Sequence, residues 1–521
     1  MSKTKEVKEN VKRGGFQKFL DWVERVGNKM PHPAAIFVVL CLLLIIISHI
    51  CAKMGVNINA NLVDKVKGGT KLVNVKAVSL LNPDGIRYMF TSAVDNFTGF
   101  APLGTVLVAM LGVGLAEETG LIQAILKKSV LKAPKKFVTM IIVLLGVMSN
   151  IASDAGYIVL IPLGAMVFLS FGRHPLAGMA AAFAGVSGGF SANLLIGTTD
   201  PLLGGISTEA AKLVDTGYKV APTANWYFMI VSTFLIMFVG TFVTERIVEP
   251  RLGKYNQQID QEDMMVITEK ENKGLKAARI GFFIFMAIIL LLVVPTNGIL
   301  RDPKTHKIIG HTPFMNSIVP IITLFFFIPA VAYGKVVGTI KSNKDIANSL
   351  GKSMGKMGGY LVLVFTASQF VAYFAHTNLG TIIAFKGAEF LKSTGFTGIP
   401  LIIAFVILSA FINLFMGSAS AKWAIMAPIF VPMFMGLHFS PEFTQVAYRI
   451  GDSCTNIITP LMSYFALIVS FAEKYDEDTG IGTLISTMLP YSIFFLIFWS
   501  ILLVVWYKTG LPIGPGSPIH I

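Results

Sequence analysis

Long apolar runs separated by short polar breaks dominate the chain. Seven runs free of Asp, Glu, Lys and Arg approach the roughly 20 residues a helix needs to cross a bilayer. They lie at residues 34–50, 101–115, 226–243, 280–295, 314–333, 360–374 and 481–506. Two other apolar regions carry a polar centre. Residues 137–172 are interrupted by SNIASDAGY, which leaves two arms too short to cross separately and predicts a re-entrant hairpin. Residues 398–435 follow the same plan around NLFMGSASAKW. Each hairpin is followed by a segment that stalls, at SANLLIGTTDP (191–201) and at GDSCTNIITP (451–460). Broken backbone at membrane depth is tolerated only when buried in protein or lining a cavity.

The two interruptions also match in detail. SDAGYIVLIP (153–162) and ASAKWAIMAP (419–428) each place an aromatic, Tyr157 or Trp423, five residues before a proline, Pro162 or Pro428. Each has an asparagine upstream, Asn150 or Asn413, and aligning GGFSANLL with GDSCTNII sets Asn193 over Asn456. Paired broken segments in two halves mark the midplane site of a repeat-built transporter. The expected fold is therefore an all-α polytopic membrane protein of the inverted-repeat secondary-transporter type. Its parts are a basic cytoplasmic arm (1–33), a first repeat (34–248), a polar cytoplasmic linker (249–279), a second repeat (280–507) and a tail (508–521). Residues 16–26 in the arm have the period of an interfacial helix. Residues 52–82 read as an external loop, and the glycine- and proline-rich tail yields no prediction.

Composition agrees with the pattern. Of 521 residues 54% are hydrophobic and only 14% charged, against about a quarter charged in soluble domains. The net charge of +14 comes without a basic helix, a zinc-ligand set or an RNA-binding signature. It is assigned to Lys and Arg flanking membrane segments, which places the N-terminus inside and leaves no role for nucleic acid. Cys41, Cys51 and Cys454 read as core thiols, and His49, His174, His376 and His438 as structural. There is no HExxH and no Cys–His pairing in a membrane helix, so no enzyme is expected.

Charge within the apolar sequence carries the chemistry. Arg449 and Asp452 sit three apart on one helix face and can pair, although each is costly at mid-bilayer. Arg449 would clamp a substrate carboxylate or merely neutralise Asp452. Asp452 would bind Na⁺, carry a proton, or serve the same structural pair. Trp423 would stack on an aromatic substrate or anchor the hairpin at the membrane interface. Asp200 would be a site residue or a solvated helix cap. Lys422 and Asp154 are weaker candidates, placed at hairpin tips within reach of solvent. Asn and Ser side chains with freed carbonyls suit a hard cation, and half-helix N-termini suit a carboxylate. On this reading Asn150, Asn193 and Asn456 line the cavity between the hairpin tips.

The motifs SNIASDAGYIVLIPL, FSANLLIGTTDPLL, ASAKWAIMAPIFVPM and PEFTQVAYRIGDSCTNIITPLM resemble the p-aminobenzoyl-glutamate transporter (AbgT) family along essentially the whole chain. The resemblance implies a bacterial inner-membrane homodimer with about nine transmembrane helices and two re-entrant hairpins per protomer. It implies uptake of p-aminobenzoyl-glutamate or ion-driven export of sulfonamide antimetabolites. The family's site positions fall on Asp200, Asn413, Ser420, Trp423, Pro441, Arg449, Asp452 and Pro460. A sodium ion near the second hairpin would use Asn413 and Asp452. No cofactor is expected beyond Na⁺ or H⁺ as coupling ion. The rival readings are a sodium–dicarboxylate symporter, a passive channel and an intramembrane enzyme.

Overall fold

The computed structural model describes residues 31, 33–63, 70–152, 156–255, 267–310, 312–462, 464–477 and 479–521. Most of the basic arm, where an interfacial helix is expected at 16–26, the tip residues Ser153 and Asp154, and the middle of the central linker lie outside the described residues.

In chain order, α1 (Pro33–Lys53) leads into an antiparallel pair, β1 (Asn57–Val63) and β2 (Thr70–Lys76). There follow α2 (Ala101–Glu118) and the short α3 (Leu121–Leu131). The first hairpin is α4 (Val138–Ser149) and α5 (Gly156–Ser170). Behind it come α6 (Pro175–Gly188), a break, α7 (Thr199–Ala211) and the long α8 (Trp226–Leu252). The second half opens with α9 (Glu269–Val293), α10 (Ile318–Val337), α11 (Asn343–Gly355), α12 (Gly358–His376) and α13 (Leu379–Ser393). Its hairpin is α14 (Gly398–Asn413) and α15 (Ala419–Met435). The broken pair α16 (Pro441–Asn456) and α17 (Phe465–Glu473) and the long α18 (Ile481–Thr509) complete it.

Among the described residues, seven helices are long and apolar enough to cross a membrane alone: α1, α2, α8, α9, α10, α12 and α18. With the interrupted pairs α6–α7 and α16–α17 counted as one crossing each, the total comes to about nine. The order hairpin, broken helix, long span occurs twice, as the matched interruptions predict.

Glycine lets the hairpins approach the broken helices closely. A Cβ on Gly185 of α6 would lie 2.4 Å from the Val143 carbonyl oxygen of α4. A Cβ on Gly451 of α16 would lie 2.3 Å from the Val406 carbonyl oxygen of α14. Small residues at such crossings let backbones pack at short range where no hydrophobic effect drives helices together. Two apolar cores result. The larger joins both hairpins, α6, α8, α16 and α18, and includes Phe183, Trp423, Tyr448 and Phe495. A smaller one joins α2, α3, α9 and α10 around Val113, Leu126, Ala278 and Tyr333.

Three features depart from the hydropathy pattern. First, α9 starts at Glu269, well before its apolar run, because Thr268 and Glu271 form a reciprocal capping box and Glu269 pairs with Lys273 at 2.7 Å. Second, the expected external loop contains the β1–β2 hairpin, whose Val75 packs on Ile382 of α13. Third, the tail is folded. Ile513 accepts a backbone hydrogen bond from Phe228, and Ile519 and Pro518 accept from the Ser440 backbone and hydroxyl at 2.8 and 2.7 Å. Ser440 caps α16, so the tail straps down the start of that helix.

Gly451→Ala should force α14 and α16 apart, at a cost of about 1–3 kcal/mol or more for overpacking. A lower melting midpoint in detergent is expected, while Gly351→Ala, where no atom lies within 4 Å of the added carbon, should leave it unchanged. Equal midpoints for the two variants would refute this packing.

Candidate functional site

Every residue of α16 is buried, yet its sequence is half polar. Gln445, Arg449, Asp452 and Asn456 recur at three- and four-residue intervals, so they form one stripe along the helix. A polar stripe on a buried helix must find its partners inside the protein, and it does.

Arg449 and Asp452 do not pair with each other, contrary to expectation from their spacing. Arg449 Nη1 lies 2.7 Å from Asp200 Oδ1, at the start of α7 in the other repeat. Asp452 Oδ1 lies 2.6 Å from Lys422 Nζ, in the first turn of α15. None of the four side chains is more than 4% exposed. The physical reason is neutralisation: Asp200 and Lys422 are both buried, and either left alone would be an uncompensated charge. Asp200 is thus not a solvated cap, although its Oδ2 does accept the Gly197 backbone N–H at 2.7 Å. Nor does Lys422 sit at a wet tip. It is 1% exposed, and its ammonium also donates to Asn413 Oδ1.

Asn413 closes the second hairpin onto α16. Its amide donates to the Asp452 carbonyl at 2.7 Å, to Thr455 Oγ1 at 2.9 Å and to Asn456 Oδ1 at 2.8 Å. The two oxygens expected to hold Na⁺, on Asn413 and Asp452, therefore hold the ammonium of Lys422. The Tyr448 hydroxyl donates to the Ala419 carbonyl at 2.6 Å and lies 3.3 Å from Asp452 Oδ1. Among the described residues, Asp452 Oδ2 and Arg449 Nε are buried without a partner, leaving one acceptor and one donor free.

The two aligned aromatics each dock on the opposite repeat. Trp423 is fully buried, stacks on Tyr448 at 4.5 Å between ring centroids, and donates to Ser207 Oγ of α7 at 2.9 Å. It is not an interfacial anchor, because its indole lies within the core between α7 and α16. Tyr157 of the first hairpin stacks on Tyr464, beyond the α16 break, at 4.7 Å. From Ser207 a chain of hydrogen bonds runs through Gln445 Oε1 at 2.6 Å and Asn225 at 2.7 Å back to the carbonyl of Glu442.

The remaining candidates spread over three places. Asn150 and Asn193 both donate to the Val147 carbonyl, at 3.2 and 3.4 Å, at the first hairpin's tip. Asn456 reaches the Ser187 carbonyl of α6 at 3.5 Å, and Ser453 Oγ accepts the Ser191 N–H at 3.1 Å, joining the two breaks. Ser420 is half-buried in the first turn of α15, and Pro460 half-buried just past the α16 break. Close to Pro460, Leu461 runs against the second tip, where a Cβ on Gly417 would lie 2.7 Å from its carbonyl oxygen. Pro441 stands apart. It opens α16, about 16 Å along the helix from Asp452 at 1.5 Å per residue. Beside it Glu442 is buried and accepts from the Tyr218 hydroxyl at 2.9 Å. Sequence reasoning missed Glu442, although a carboxylate in the first turn of a helix with a polar stripe was a visible signal.

Two hairpin-and-broken-helix units joined across their junction by a buried ion pair and by aromatic contacts define a membrane carrier with its site between repeats. The chain belongs to the AbgT family: the model described as "AbgT putative transporter family" matches residues 18–521. It is accordingly a transporter and not an enzyme. It is 42% identical, over 96% of both chains, to the p-aminobenzoyl-glutamate transport protein of Escherichia coli (strain K12). Its fold matches the Neisseria gonorrhoeae MtrF structure, described among antimetabolite efflux pumps, with TM-score 0.89 and 50% identity over 96% of this chain and all of that one. It matches the Alcanivorax borkumensis YdaH transporter with TM-score 0.87 and 44% identity over 93% of this chain and all of that one.

Arg449→Gln should destabilise the protein by about 3–5 kcal/mol, because it strands the Asp200 carboxylate in the core. Adding Asp200→Asn should restore most of that stability without restoring transport. Denaturation midpoints for the two single variants and the double variant test the pair, and strictly additive losses would show that the side chains are not coupled.

Proposed function

We propose that the protein is a secondary active transporter of p-aminobenzoyl-glutamate or a related aromatic carboxylate, sulfonamide antimetabolites included, driven by Na⁺ or H⁺. The observation that carries this reading is the pair of buried salt bridges at the repeat junction. Arg449, Asp200, Lys422 and Asp452 sum to no net charge. Bringing a dicarboxylate into such a set at membrane depth is costly unless cations enter with it. The E. coli relative's substrate supports the solute, and the description of MtrF supports the antimetabolites.

The residues take distinct parts. Arg449 exchanges Asp200 for a substrate carboxylate, using its free Nε in a two-pronged contact. The Trp423–Tyr448 stack opens to take the aryl ring, which favours an aromatic solute over a plain dicarboxylate such as succinate. Asp452 accepts the coupling ion through its unpartnered Oδ2, and Lys422 is the internal cation that ion displaces or exchanges a proton with. Asn413, Ser420, Pro460 and the asparagines Asn150, Asn193 and Asn456 hold the hairpin tips and breaks around the solute, while Pro441 fixes the start of α16. Alternating access moves a core of hairpins and broken helices, drawn from both repeats, against a scaffold that includes α2, α9 and α10 and holds the dimer contact. The protein works as a homodimer in the bacterial inner membrane with its N-terminus inside.

Purified protein in proteoliposomes, given labelled p-aminobenzoyl-glutamate and separate Na⁺ or H⁺ gradients, tests this. Accumulation above equilibrium is expected under one gradient and should vanish in Asp452→Asn. Trp423→Ala should weaken apparent affinity about three- to tenfold through loss of the aromatic contact. Equilibration without accumulation would indicate a channel, and succinate uptake indifferent to excess p-aminobenzoyl-glutamate would indicate a dicarboxylate symporter.

A further inference from the structure

Two cavities open side by side where α3, α9 and α10 meet the first hairpin. The larger, about 440 Å³, is walled by Leu126, Leu145, Phe282 and Phe326, and its walls include Ser149 and Ile151 of the tip and Leu195 of the α6–α7 break. The smaller, about 210 Å³, shares Ile125, Leu275 and Arg279 with it and adds Lys128 and Lys276. Among the described residues lining either cavity there are three cations and no acid. Lys128 is held by Asn272 Oδ1 at 2.8 Å. Its ammonium is lowered from the ordinary lysine range, first by lost hydration and then by Lys132, Arg279 and Lys276. An anion in their midst would relieve that crowding.

The larger cavity continues onto an outward apolar face. Phe283, one of its walls, is 61% exposed, and Ile284 beside it is 57% exposed. The occupant must therefore join an apolar body to an anionic head. A small aromatic dicarboxylate fits poorly, because beyond Arg279 and Ser149 the cavity's side chains are apolar and carboxylates placed deeper would lack donors. Asp200, Trp423 and Arg449 do not line it. An acyl chain needs none.

We propose that this pair of cavities binds an anionic phospholipid, with its phosphate among Lys128, Lys276 and Arg279 and one acyl chain in the apolar cavity. Basic pockets between membrane helices on the side rich in Lys and Arg recognise such headgroups. The chain lies between the α2–α3–α9–α10 core and the tip of the first hairpin. A lipid whose contacts differ between two hairpin positions shifts the balance between them. Binding is read here without transport, so it stands or falls separately from the proposed solute.

Native mass spectrometry of the full chain in detergent, with phosphatidylglycerol and phosphatidylcholine supplied in equal amounts, measures retention directly. Preferential retention of phosphatidylglycerol is expected. It should fall about tenfold or more in the triple variant Lys128→Gln, Lys276→Gln, Arg279→Gln, in which Lys276 and Arg279 are exposed and Lys128 half-buried. Leu275→Trp, which fills the junction of the two cavities with the cations intact, should also reduce it. Equal retention of the two lipids, or undiminished retention in the triple variant, would overturn the proposal. So would displacement of the lipid by inorganic phosphate with no effect of Leu275→Trp, which would make this a phosphate site. Disulfide-linked dimers of Ile284→Cys in native membranes would show the outward face closed by a second copy and would equally overturn it.

Discussion

Charge kept inside an apolar helix bundle must be neutralised within one side chain's reach, and this requirement organises the middle of the molecule. Arg449 cannot remain in α16 unless Asp200 is brought to it, and Asp200 sits on the other repeat. Lys422 cannot enter the core unless the second hairpin folds back on Asp452. The first bridge therefore fixes where the two halves meet, and the second folds the second hairpin onto its own broken helix. Because replacing a buried pair by apolar residues is often neutral or stabilising, stability alone does not explain them. In the proposed transport cycle their value lies in being exchangeable, with a solute carboxylate substituting for Asp200 and a coupling cation for Lys422.

Close packing and polar satisfaction then work together. The glycines at 185 and 451 bring hairpin and broken helix to within contact of each other's backbones. Only at that range can Asn413 tie the second tip to three separate atoms of α16. The first hairpin is tied less strongly in the described residues, through Asn193 and the Tyr157–Tyr464 stack. Hairpins and broken helices share the larger core, whereas α2, α3, α9 and α10 keep a separate one. That division suits the proposed movement of hairpins and broken helices against a scaffold.

Much of this was legible in sequence, and the limits are physical. A break in a membrane helix exposes backbone that lipid cannot satisfy, so the polar interruptions and their repetition stood out strongly. Tyr157 and Trp423 were matched by spacing alone, and in the structure each reaches the opposite repeat, Tyr157 by stacking on Tyr464 and Trp423 by a hydrogen bond to Ser207. Helical spacing, however, reports only local neighbours. It offered Asp452 as the partner of Arg449 and could not see Asp200, 249 residues away. Lys422, among small residues near a turn, resembles a solvated tip, because burial of a lysine is decided by a partner distant in sequence. The β1–β2 pair was hidden in a lysine-bearing loop, and the tail, without apolar periodicity, gave nothing to read.

That tail has a consequence for how the protein is made. The cap of α16 is pinned by carbonyls of Pro518 and Ile519, which the ribosome delivers well after the helix itself. During synthesis the helix that carries Arg449 and Asp452 must therefore wait with its leading end unfastened. Residues 513–521 act as a latch that records late completion of the bundle, so quality-control proteases would meet a loose α16 in any product halted before them.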